Sequence, residues 1–154
     1  MNATNSTNLL RYSVEPTTLE TTKKINKQMK HCLCKVKNGD KTSTGFLCKI
    51  NKDINTQFKV LITSYDIINN NDLINNKTIK IYLNQDEDYR LIQLNNNTKI
   101  YFNENNNITI IIIENEHNLN NDKNYLELDN GLFINDNSSY NKQSIYILQY
   151  QNLN

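Results

Sequence analysis

The chain has 154 residues, 17 basic against 16 acidic, and 37% hydrophobic residues. That length suits one domain, and the cancelling charges leave neither the basic excess expected of a nucleic-acid partner nor the like-charge block expected at a membrane surface. Three Gly and one Pro exclude collagen-like and proline-rich classes.

Asparagine is the outlier, with 31 copies beside 19 Ile, 15 Lys and only 2 Arg. Asn, Ile and Lys share A/T-rich codons, so nucleotide bias accounts for the excess. The runs Asn69–Asn71, Asn95–Asn97 and Asn105–Asn107 are read as turns, because Asn tolerates left-handed backbone and bonds its own main chain. Met1-Asn2-Ala3-Thr4 opens no basic and apolar signal sequence. The longest apolar run, Ile108–Ile113 with Thr109, is far shorter than a membrane span. Three cysteines give no even disulfide framework, so a reducing, cytoplasmic setting is expected.

Residues 1–18 are polar and aperiodic and read as a flexible tail. Thr18 or Thr21 can cap a short helix running to about Met29, whose Ile25 and Met29 share a face. From His31 the period becomes two, with Cys32, Cys34 and Val36 on one face of a strand. Asn38-Gly39-Asp40 signals a hairpin. The return strand carries Phe46, Cys48 and Ile50, and the next Phe58, Val60 and Ile62. A helical turn and loop follow over Asp66–Leu73. Further strands are expected at Thr78–Leu83, Tyr89–Leu94, Thr98–Phe102 and Ile108–Ile113, and shorter ones at Tyr125–Leu128, Leu132–Ile134 and Ser144–Tyr150. The run at Ile108 suits a strand buried on both faces. Many short strands at close spacing mean an all-β barrel or sandwich. The expected core is Val36, Phe46, Cys48, Val60, Ile62, Ile79, Ile81, Ile110 and Ile112.

Two segments carry more. Thr44-Gly45-Phe46 leads through a turn into Val60-Leu61-Ile62-Thr63-Ser64-Tyr65-Asp66, and Asn106-Asn107-Ile108-Thr109-Ile110-Ile111 follows later. The chain resembles the trypsin-like serine peptidases over roughly Cys32–Tyr150. In that family a Gly-Phe strand precedes V-L-T-x-x-H, which bears the general base, and N-D-I-x-L-L begins with the aspartate that orients it. Asp66 stands in the histidine slot and Asn107 in the aspartate slot. No Gly-Asp-Ser-Gly segment supplies a serine.

The resemblance implies a six-stranded antiparallel barrel with a short N-terminal helix. Residues 1–18 would be the tail, 19–142 the barrel and 143–154 the entry strand of a missing second barrel. It also implies a catalytically inactive, truncated peptidase homologue, acting as an interaction module or simply decaying. Aspartate, with a reference pKa of about 3.9 in model peptides, is too weak a base to activate a hydroxyl, and Asn107 has no charge to stabilise an imidazolium. No catalytic residue is therefore expected. Rival readings are half of an active endopeptidase completed by another chain or by missing downstream sequence, and an unrelated small all-β binding domain.

No cofactor or metal is expected. His31, Cys32, Cys34 and Cys48 invite zinc, yet Cys-x-Cys on a strand aims both thiols at the core, where small thiols pack as hydrophobes. His117 lies in a polar loop with no nucleophile context. Asp86-Glu87-Asp88 could attract a cation but lacks the Gly and distal Glu of a calcium loop. The expected partner is an unidentified protein or a second copy, with neither nucleic acid nor membrane.

Overall fold

A computed structural model describes residues 18–51, 56–83, 88–119 and 125–127. The expected tail, the strands at Leu132–Ile134 and Ser144–Tyr150 and the proposed entry strand lie outside them, as do Asp86 and Glu87.

Helix α1 spans Leu19–His31. Thr18 caps it, accepting from the Thr21 amide at 3.2 Å, and Glu20 complements the positive end of the dipole. The helix buries no residue fully, and Met29 is 38% exposed. His31 closes the helix rather than opening the next strand.

Strand β1 (Leu33–Asn38) turns back into β2 (Lys41–Asn51) through Gly39-Asp40. Gly39 has φ +61° and Asp40 is not left-handed. That is the pattern of a two-residue turn with glycine in its first central position, where the backbone twist matches that of the strands. β2 is long enough to serve two partners. Its first half pairs with β1 and its second half, from Phe46, with β3 (Gln57–Thr63). Where β1 leaves off, β8 (Leu126–Glu127) pairs parallel to Cys48–Lys49. A short helix α2 (Asn70–Ile74) leads to β4 (Thr78–Leu83), β5 (Asp88–Gln93), β6 (Ile100–Asn103) and β7 (Ile108–Ile112).

The sheet order is β5-β4-β1-β2-β3-β7-β6, with β8 beside β2. The expected all-β class holds, but the six-stranded closed barrel does not: the described residues form an open eight-stranded sheet, antiparallel apart from β8. The opening lies between β5 and β6. The Asn95–Thr98 turn is closed by its own bonds, Asn95 N–H to Thr98 Oγ1 and Thr98 N–H to Asn95 O, both 2.9 Å. Thr98 Oγ1 also reaches the Gln93 carbonyl at 3.4 Å. The turn thus takes up groups that a β5–β6 ladder would need at its start.

The inner face carries Cys34, Val36, Leu47, Leu61, Ile79, Ile81, Ile92 and Ile111, joined by Ile68 and Leu94 from the connections. Val36, Ile79 and Ile81 point inward as expected. Phe46, Ile62, Ile110 and Ile112 do not. Cross-strand partners share a face, and Phe46 pairs with Ile62, Ile62 with Ile110, and Ile110 with Tyr101 on the outer side. Cys48 and Val60 are buried, but from that same outer side. The register is set by Gly45: an added Cβ would lie 2.7–2.8 Å from Val36, Cys34 and Leu61 atoms, so the inner layer closes over bare backbone there. Strand β7 is fully buried at Thr109 and Ile111 and half-buried between them, rather than buried on both faces.

Candidate functional site

Asp66 sits in the turn after β3, and Asn107 immediately precedes β7. β3 and β7 are antiparallel neighbours, with Thr63 opposite Thr109, so the end of one meets the start of the other. The two residues interlock. Asn107 Nδ2 donates to Asp66 Oδ2 at 2.8 Å, and Asn107 Oδ1 accepts from the Asp66 amide at 3.0 Å. The Asn107 carbonyl accepts from the Tyr65 amide at 3.2 Å. Asn107 has φ +52°, a conformation that favours Asn, and its amide closes the preceding turn onto Glu104 O at 3.0 Å. Lys41 Nζ donates to the Asp66 carbonyl at 3.0 Å.

The structure thus brings together two residues 41 positions apart that the sequence singled out. Both are exposed. Their bonds are those of a turn clamp: every polar group of Asn107 described above faces a backbone or carboxylate partner. Nearby, Ser64 Oγ meets Ser43 Oγ at 3.4 Å, a contact between hydroxyls that provides no base.

Neither histidine joins this cluster. His31 ends α1. His117 is buried in a short 3-10 turn (Asn115–His117), where its Nδ1 accepts the Glu114 amide at 2.9 Å. Lys99 pairs with Glu114 at 2.6 Å; hydrogen bonding followed by charge attraction pulls the carboxyl's pKa down and pushes the ammonium's up.

Cys32, Cys34 and Cys48 are buried free thiols. Desolvation raises all three, Cys48 to about 11. The thiolate is the metal ligand and the nucleophile, so burial suppresses both roles. Among the described residues no group of three or more His, Cys, Asp or Glu converges as a metal site. No described helix is long and apolar enough to cross a membrane.

Sequence reasoning missed the outer face. Ile50, Phe58, Val60, Ile110, Ile112 and Tyr101 line a groove of about 390 Å³ across β2, β3, β7 and β6. Its signal was present in the uninterrupted runs Val60-Leu61-Ile62 and Ile110-Ile111-Ile112, which supply apolar side chains to both faces. The chain matches no protein-family model, no curated protein and no solved structure.

Proposed function

We propose that this chain is a non-catalytic interaction module related to the first barrel of the trypsin-like serine peptidases, with its sheet left open. The observation that carries the reading is the Asp66–Asn107 bond. The residues in the family's base and orienting-acid slots touch, as a catalytic pair must, but neither can do the chemistry. An asparagine bonding a carboxylate fixes a turn and leaves no imidazole to take a proton from a hydroxyl. A strand over Val60–Thr63 that leads directly to Asp66 favours this reading over an unrelated all-β domain. The odd thiol count supports a cytoplasmic setting.

The test is catalytic silence. The purified protein should not react with a fluorophosphonate probe. Asp66→His together with Asn107→Asp should give no peptidase activity, because the sequence carries no Gly-Asp-Ser-Gly segment to supply a nucleophile beside the restored pair. Labelling of the unmodified protein that one Ser→Ala substitution abolishes would overturn the reading.

A further inference from the structure

Both rims of the open sheet are edge strands, and they are finished differently. On β5, the Leu94 amide bonds Lys77 O at 2.8 Å, so Tyr89, Leu91 and Gln93 turn their backbone groups outward. Two of those carbonyls are taken. Arg90 Nη1 donates to Tyr89 O at 2.8 Å and Thr98 Oγ1 to Gln93 O at 3.4 Å. A charge on the strand and side-chain bonds to its outward carbonyls blunt an edge against further pairing.

On β6, the Ile112 amide bonds Lys99 O at 2.9 Å, so Tyr101 and Asn103 face β7 and Ile100 and Phe102 face outward. No described residue pairs with those outward groups. The strand Ile-Tyr-Phe-Asn has no charge and no proline. Tyr101 is 58% exposed and borders the apolar groove. The one charge lining that groove, Lys99, is matched by Glu114.

From this we infer that β6 is the self-association edge of the protein, and that its partner is a second copy joined through antiparallel β6–β6 pairing about Tyr101. The inference rests on the interaction-module reading and names its partner. The register is self-complementary. Ile100 meets Phe102 of the second copy in a hydrogen-bonded pair and Phe102 meets its Ile100, with Tyr101 opposite its own copy on the two-fold axis. All three pairings join positions of like parity, so the outer faces run on into one another and the two grooves become neighbours. Two uncharged strands meet there without like-charge repulsion.

The experiment uses the full chain. Sedimentation velocity over roughly 1–300 µM should show the mass rising from the 18.1 kDa monomer toward twice that value. Tyr101→Lys, which sets two ammonium groups against each other on the axis, should weaken association roughly tenfold or more. Tyr101→Cys should form an interchain disulfide under mild oxidation, since directly opposed positions lie about 4.5–5.5 Å apart at Cβ. Leu91→Cys on the β5 edge should not. A monomer throughout, association indifferent to Tyr101→Lys, or linkage through position 91 instead of 101 would each overturn the inference. None of these outcomes bears on probe labelling, so the two proposals fail separately.

Discussion

At the scale of single residues, this chain uses asparagine where others use glycine. Among the described residues, each non-glycine residue with positive φ is an Asn: Asn76, Asn107 and Asn118. Asn107 combines that backbone with two side-chain bonds to Asp66, and substitutions separate the two contributions. Asn107→Gly keeps the backbone and loses the bonds; Asn107→Ala loses both and should be the less stable by about 1 kcal/mol in urea denaturation. Equal losses would mean that the left-handed turn is unimportant. Asn107→Asp removes the donor and opposes two carboxylates, so its deficit should shrink in a double exchange with Asp66→His, where a charged donor returns. Gly45 makes the opposite case, since it is needed for space and its φ is ordinary. Gly45→Ala should cost about 1–3 kcal/mol, because the Cβ meets packed side chains on three sides.

Among the elements, α2 shows how a five-residue helix is held. Asn69 accepts from the Asn71 amide at 3.0 Å, and Asp72 returns the bond by accepting from the Asn69 amide at 2.9 Å. Burial pushes the Asp72 carboxyl up, but the Lys77 ammonium at 2.6 Å and the bonds from Asn69 and Asn38 outweigh it and hold the pKa below the usual range. A depressed folded pKa means that the stabilisation is present above the unfolded value of about 3.9 and is lost as pH falls through the folded one. The acid limb of a stability–pH profile should therefore flatten in Asp72→Asn; an unchanged limb would show that the carboxylate is not coupled to folding. Elements whose chemistry is local were legible in the sequence: the Thr18 cap, the Asn38-Gly39 turn and the strand at Thr78–Leu83. Facing was not, where three successive residues are apolar. Val60-Leu61-Ile62 satisfies either register, and the choice depends on the non-local packing of Gly45 against Leu61. The consequence can be measured on β7. Ile111→Ala should cost about 2–5 kcal/mol, as it empties the fully buried layer. Ile110→Ala, on the half-buried outer face, should cost distinctly less.

For the molecule as a whole, the question is what an open sheet leaves unpaired. The order β4-β1-β2-β3-β7 forms a continuous antiparallel centre, and its flanking strands β5 and β6 come from consecutive segments that do not pair. No local signal announced this. Strand propensity in Tyr89–Leu94 and Thr98–Phe102 is the same whether the two strands meet or part, and the outcome depends on a turn that bonds to itself through Thr98. The candidate pair Asp66–Asn107 was legible because sequence motifs name both ends, while the edges were not, because they are defined by partners that fail to arrive. Amide exchange reads the difference residue by residue. In a closed barrel every β6 amide would have a strand on one side or the other, and all would be slow. In the open sheet the pattern must alternate: Tyr101 and Asn103, turned toward β7, should exchange slowly, and Ile100 and Phe102, turned to the rim, quickly. Working at the lowest practical concentration keeps β6 free of a second copy, and the Ile100 and Phe102 amides should slow as concentration rises. Uniform protection of all four at every concentration would show that β5 and β6 close in solution, and would remove the edge on which self-association depends.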